Sequence, residues 1–280
     1  MDVLMVLPTH VFAEEELLPE KIGNFALTIS MQPGAFISLG NNLIAQGDTL
    51  FYVLAEDVIS KQSDSIKVIP SLIYGITNDL SIAFNTPFTP RQKEWNNSSS
   101  GIEDGSVAVE YAFFTKDRPY SADQATVLFN LIFPTGSSTK NPPTGFGSPS
   151  LFLGATYYHT EVKWIYFTSY GALFTTSKHR TQFGNELLYQ FGIGRNIPSP
   201  AGWIFAWLVE CDGQYAWKNR IKGHTDSDSG GNVIFVTPSM WFSSERIILQ
   251  FGVGFPIAQH LHGHQPKIYR SYDLAFGVLF

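Results

Sequence analysis

A chain of 280 residues with a net charge of −6 and only 15% charged residues falls well below the roughly 25% charge usual in soluble globular proteins. Its Lys and Arg residues gather into no basic stripe, which argues against nucleic acid as a partner. The single cysteine, Cys211, excludes an intrachain disulfide and is expected to serve as a small apolar side chain.

Aromatic residues reach 15% while mean hydropathy is +0.00. No run approaches the roughly 18 apolar residues of a membrane helix, so the apolar surface must be spread over short segments. Two solutions remain: a large soluble all-β core, or a barrel whose apolar face meets lipid.

From the amino terminus, residues 1–13 resemble the tail of an export signal whose start lies upstream. They carry apolar stretches and a Val11-Phe12-Ala13 step before Glu14-Glu15-Glu16, though no basic residue precedes them. Residues 14–48 are expected to form an N-terminal periplasmic segment, and residues 49–280 a barrel. From Thr49 onward the chain alternates with period two. Val107, Val109, Tyr111 and Phe113 interleave with Ser106, Ala108 and Glu110. Trp203, Phe205, Trp207, Val209 and Cys211 lead to Glu210, Asp212 and Gln214 on the other parity, and Ile247, Leu249, Phe251, Val253 and Phe255 face away from Arg246, Gln250, Gly252 and Gly254. Side chains alternate faces in a strand, whereas a helix would space apolar residues three and four apart.

Strands are predicted near 50–60, 66–75, 78–86, 105–114, 123–133, 149–159, 162–175, 181–193, 202–217, 232–242, 246–257 and 268–280. That is about twelve, an even number, as single-chain bacterial barrels require. The first is the least secure, and residues 25–43 have room for another. Connections sort by parity. Residues 75–78, 160–161 and 243–245 are tight, whereas 87–104, 134–147, 218–231 and 258–266 are long; 115–122 and 194–201 are intermediate. Bacterial barrels have short periplasmic turns and long extracellular loops, and a soluble sandwich has no reason to sort loops this way. The fold expected is therefore an all-β, transmembrane, antiparallel up-and-down barrel in the bacterial outer membrane, with outer-membrane lipid as its surroundings.

At the carboxyl end Tyr272, Leu274, Phe276, Val278 and Phe280 alternate to the last residue. This resembles the signal read by the bacterial barrel-assembly machinery. A long apolar edge strand in water would be an aggregation hazard, which closure onto the first strand removes. Trp164, Trp203, Trp217, Trp241 and Tyr272 fall near predicted strand ends, where interfacial girdles are expected, and Trp207 falls nearer mid-strand.

Several motifs then carry a family resemblance over roughly residues 65–280. LIYGITNDL at residues 72–80 resembles the RYGLTDRLEL hairpin of a family of outer-membrane transporters named for the meta-pathway of phenol degradation. FPTGS at 133–137 followed by TGFGS at 144–148 is similar to that family's loop. NVIFVTPSMWFS at 232–243, LQFGVGFP at 249–256 and Gly263-His264-Gln265-Pro266 resemble its closing strands. The resemblance implies an outer-membrane barrel, with aromatic compounds among the solutes, and no catalytic residue carries over from it. The histidine-rich stretch His260-Leu261-His262-Gly263-His264 departs from the pattern.

Alternation turns Lys67, Asp79, Glu110, Glu161, Lys163, Glu186, Glu210, Asp212, Arg246 and Asp273 inward. Arg or Lys facing lipid at midplane would cost roughly 2–4 kcal/mol. Of these, Lys67, Glu110, Lys163, Glu186, Glu210, Asp212, Arg246 and Asp273 are the candidate pore-lining residues, and they make a net acidic face that favours cations. The same residues could instead form a salt-bridged filling of a narrow barrel. Inward Phe167, Phe235 and Trp241 would supply an apolar patch for apolar solutes. His260, His262 and His264 lack a nearby acidic or cysteine partner in sequence and are taken as a solvated loop rather than a metal site. Ser177 and His179 supply two members of a hydrolase triad, but no G-x-S-x-G elbow is present. The functional expectation is a channel for small solutes, without catalysis and without a cofactor. A structural or surface-interaction barrel, using loops 87–104 and 218–231, is the alternative.

Overall fold

Period-two alternation is satisfied when one face of every strand meets the same medium, and a sheet that closes on itself does this without leaving an edge. The structure is a computed structural model and describes residues 21–36 and 43–280. Its strands run β1 Thr49–Ser60, β2 Ser63–Thr77, β3 Leu80–Asn85, β4 Phe88–Glu94, β5 Asn97–Ile102, β6 Ser106–Arg118, β7 Ser121–Ile132 and β8 Ser150–Glu161. They continue with β9 Trp164–Thr175, β10 Glu186–Ile197, β11 Trp203–Ala216, β12 Arg220–Ile221, β13 His224–Thr225, β14 Gly231–Ser244, β15 Ile247–Leu261 and β16 Ile268–Leu279.

Each barrel strand pairs antiparallel with its chain neighbours, and β1 pairs with both β2 and β16, which closes the wall. β3 and β4 pair with successive stretches of β2, and β6 and β5 pair in turn with β3 and β4, so β3–β4 and β5–β6 each act as one continuous strand. β12 and β13 form a separate two-stranded ribbon in a loop. The wall is a closed antiparallel barrel of 12 strands. The seam carries Thr49 and Phe280 head to tail: Phe280 N donates to Thr49 O at 2.9 Å, and Thr49 N returns a bond to Phe280 O at 3.2 Å. The end bearing this seam is the terminal end, and the opposite rim is the far end.

The outer surface is apolar and aromatic. Phe51, Leu72, Phe84, Tyr111, Phe129, Leu153, Phe191, Phe251, Leu274 and Phe276 all point outward and are exposed. So continuous an apolar belt suits hydrocarbon, not water. A bulge between Ala112 and Phe114 in β6 turns both Phe113 and Phe114 outward. Near the terminal end Trp164 stacks with Tyr166, meets Trp207 edge-on at 5.9 Å and carries the Arg195 guanidinium 5.1 Å above its ring. Trp207 therefore belongs to this girdle. Trp241 does not: it points inward and is buried, its indole N–H donating to Ser243 Oγ at 2.9 Å.

Two connections depart from expectation. Residues 87–104 form the hairpin β4–β5 rather than a long irregular loop. The stretch 115–122 is mostly strand, since β6 and β7 pair out to Arg118 and Ser121. The β1–β2 turn at the far end is tight, because Ser60 Oγ both accepts from Ser63 N at 3.0 Å and donates to Ser63 O at 2.7 Å.

The described part of the segment 14–48 does not stand apart from the barrel, and residues 21–36 hold two short 3-10 turns, Gly23–Phe25 and Ile29–Met31, and no strand. It enters at the terminal end, where Asn24 Nδ2 donates to Glu161 O at 2.9 Å, and then lies across the lumen. Met31, Phe36, Leu43 and Ile44 are all buried against the inner wall. Fully burying such side chains contributes about 1.5–3 kcal/mol each, which offsets part of the entropy lost in ordering the segment. Residues 1–20 and 37–42, including the expected export signal, lie outside the described residues.

Candidate functional site: the barrel lumen

A segment crossing a barrel must satisfy its own backbone groups where strand pairing cannot reach them. Inward side chains of five strands do this. Ser81 Oγ of β3 accepts from Ile44 N at 3.1 Å, and Tyr158 Oη of β8 accepts from Ala35 N at 3.1 Å. Both carboxylate oxygens of Glu210, on β11, accept from Phe36 N, at 3.0 and 2.9 Å. Ser243 of β14 donates to Met31 O at 2.7 Å, and Gln250 of β15 reaches Gly34 O at 3.5 Å.

The segment divides the lumen into two unlike sides. Toward β10–β16 the wall is polar and filled. Gln190 Nε2 donates to Glu210 at 3.2 Å and to Asp212 at 2.6 Å; Gln250 Nε2 donates to Ser239 at 3.2 Å; Ser271 donates to Asp273 at 3.1 Å. Glu210 and Gln250 are fully buried, and Asp273 nearly so. A cavity of about 110 Å³ lies here, lined by Glu56, Asp212, Gln214 and Phe235 among others.

From the far end the lumen opens through a vestibule shared by both sides and continues toward β1–β7 in two further chambers. A vestibule of about 1080 Å³ lies among the far-end loops, and Glu186, Lys178, Lys222 and Trp217 contribute to its lining. Below it a chamber of about 570 Å³ is lined by the ion pair Lys67–Glu103, 2.9 Å apart, and by Phe146 and Phe183. Gln92, Pro143, Phe146 and Phe183 line both of these. The third chamber, about 260 Å³, adjoins the second across Ile69, Asn85 and Asn130 and is walled mainly by apolar side chains, among them Leu50, Ile73, Leu128 and Ile248. Its remaining wall is the crossing segment itself, through Phe36, Leu43 and Ile44.

The sequence-derived candidates fall in distinct places. Lys67 and Glu186 line the open chambers. Glu110, Glu210 and Asp273 face inward but are buried, and Asp212 borders the small cavity. Lys163 and Arg246 lie in exposed turns at the terminal end, between β8 and β9 and between β14 and β15, and line no chamber. Asp79 sits in the corresponding β2–β3 turn. Glu161 shares the outward parity of Tyr157 and His159, 3.5 Å from His159 Nε2. A strand-period argument places a residue correctly only inside the strand, and these lie at its last residue or beyond. Of the apolar candidates, Trp241 lines the innermost chamber, Phe235 borders the small cavity, and Phe167 is buried against Tyr158 at 5.2 Å between ring centroids. Tyr272, Leu274 and Phe276 of the terminal strand point outward and are exposed, as is Phe280. Cys211 shares this outward parity on β11. His264 engages Asp228, through its backbone N–H at 2.8 Å and its ring at 3.2 Å, and no cluster suited to a metal ion occurs among the described residues.

Sequence reasoning missed Asp104, Tyr158, Phe146, Phe183 and the crossing segment as lumen elements. The paired glycine motifs at 133–137 and 144–148 were the one available signal for the loop that bears Phe146.

No protein-family model and no curated protein sequence matches the chain. Among solved structures it is similar to an outer membrane channel from Pseudomonas putida F1, with a TM-score of 0.70 and 18% identity over 89% of this chain and 99% of that one. It also aligns with the NanC porin at a TM-score of 0.48 and 11% identity, over 82% of this chain and 98% of that one. The first likeness shows that the fold is shared with an outer-membrane channel.

Proposed function

We propose that this chain is a bacterial outer-membrane channel for small solutes with apolar bodies, aromatic compounds among them. Solutes enter from the cell exterior at the far end. The observation that carries the reading is the graded series of chambers, wide and mixed in chemistry at the far end, narrow and apolar against the crossing segment. Ligand sites are predominantly apolar with a few placed polar groups, and Lys67, Glu103 and Asn130 supply those groups here. The fold shared with an outer membrane channel supports the same reading. Ion selectivity is assigned to Lys67, Glu103 and Glu186 rather than to Glu210, which is fully buried.

Planar-bilayer recording of the purified chain, with and without residues 21–44, tests the channel. Low conductance in the intact chain and a large rise in the shortened one is the expected outcome. A shortened barrel that folds yet stays silent would favour the second reading, a structural barrel, which draws support from the segment lying across the lumen. Assembly is proposed to read the terminal strand through Phe280, so deletion of Phe280 should lower membrane insertion while synthesis continues; unchanged insertion would reject this.

A further inference from the structure

The passage from the vestibule to the middle chamber is bordered by two aromatic rings whose placement is unusually determined. Phe146 and Phe183 line both spaces and lie 5.7 Å apart, ring to ring, at an interplanar angle of 63°. Phe183 belongs to the connection between β9 and β10; Phe146 belongs to the connection between β7 and β8, which folds inward. One buried carboxylate holds that inward fold. Asp104 Oδ1 accepts from Gly136 N at 2.8 Å, and Asp104 Oδ2 accepts from Phe146 N at 2.6 Å, so the residue bearing the ring is itself clamped. The two limbs of the loop also bond each other, Thr144 N donating to Ser137 O at 2.8 Å and Ser137 N to Thr144 Oγ1 at 3.0 Å.

The glycines of the two motifs make this approach possible. A Cβ on Gly145 would sit 2.2 Å from Asp104 Oδ1, and one on Gly136 would sit 2.4 Å from Thr144 O. Lys140 Nζ donates to Ser100 O at 2.6 Å, and Ser99 Oγ to Pro142 O at 2.7 Å, tying the loop tip to the β4–β5 hairpin. A connection that only covered the barrel mouth would not need an inward aromatic residue fixed through its own backbone.

We infer that Phe146 and Phe183 form a stacking station that selects flat aromatic solutes over saturated ones at the entrance to the middle chamber, and that Asp104 is its positioning residue. The inference rests on the proposed entry of solutes through the far end. A flat ring can offer its face to one phenyl and its edge to the other, whereas a puckered saturated ring of the same carbon count has no π-face to offer. Aromatic pairs gain over area burial alone by an amount corresponding to about three- to tenfold in affinity.

The test uses the full chain in detergent and two probes with the same carbon count and charged groups, L-phenylalanine and the more hydrophobic L-cyclohexylalanine, measured by isothermal titration. Tighter binding of phenylalanine therefore reports the ring's π-face rather than its apolar bulk. The wild type should bind phenylalanine about three- to tenfold more tightly. Phe183→Leu and Phe146→Leu, which keep apolar bulk, should bring the ratio close to one, with heat-modifiable gel mobility confirming a folded barrel. Asp104→Ala should lower the ratio to the same level, and Asp104→Asn, which keeps one acceptor, should leave it intermediate. A wild-type ratio of one, or a ratio unchanged in both leucine variants, overturns the station. A chain that discriminates between the probes but never conducts in bilayers retains the station and removes only the channel.

Discussion

The two sides of the lumen start from the same strand pattern and end in opposite states. Toward β10–β16, inward positions carry Gln190, Glu210, Asp212, Gln250 and Asp273, which bond one another, nearby serines or the crossing segment around a cavity of about 110 Å³. Toward β1–β7, inward positions carry Leu54, Ile69, Ile73, Ala83, Ala108 and Leu128, and about 260 Å³ stays open beside the same segment. The difference teaches what each kind of side chain can do inside a barrel. Buried polar groups must find partners, and three of the five strands that bond the segment, β11, β14 and β15, lie on the polar side. Apolar groups make no such demand, and small ones such as Ala83 and Ala108 leave room.

Substitutions on each side can break this contrast. The largest effect on the segment is expected for Glu210→Ala, which leaves the buried Phe36 N–H without either of its acceptor oxygens, while Gln190 Nε2 keeps its shorter bond to Asp212. Orphaned buried donors cost about 1–3 kcal/mol each, so the segment should detach more often. Amide exchange at residues 30–36 would read this as faster exchange; protection equal to wild type would mean that the polar side does not hold the segment.

A middle effect is expected for Leu128→Ala, which widens the innermost chamber. Deleting a packed leucine costs about 2–5 kcal/mol, and beside an existing void the low end of that range applies. Urea unfolding in detergent checks it, and a loss at the high end would show that the chamber is packed by an unmodified wall after all. The smallest effect belongs to Gln250→Leu. Its Oε1 is buried without a partner and its bond to Gly34 O is 3.5 Å long, so an apolar replacement of similar size should change stability by less than about 1 kcal/mol. A larger loss in the same unfolding measurement would place Gln250 beside Glu210 as an anchor.

Much of the barrel was legible because it depends on local periodicity. Ile247 through Phe255 and Tyr272 through Phe280 alternate so strictly that a one-residue slip would turn every apolar side chain into the lumen. The same rule turned Glu210, Asp212 and Asp273 inward. It failed for Glu161, Lys163 and Arg246, which stand at or past strand ends, where parity no longer fixes direction. It also left open whether Glu210 meets solvent or protein, since the answer depends on Phe36, 174 positions away.

The sequence by itself determined that the chain closes into an antiparallel barrel with an apolar exterior, because alternation and turn spacing are properties of neighbours along the chain. Only the tertiary structure decided what fills that barrel. Asn24, Phe36 and Ile44 find their partners on β8, β11 and β3, and Asp104 finds its own on a loop more than 30 residues further on. Such contacts are set by which inward side chains meet across the closed lumen, and no pattern of period two records them.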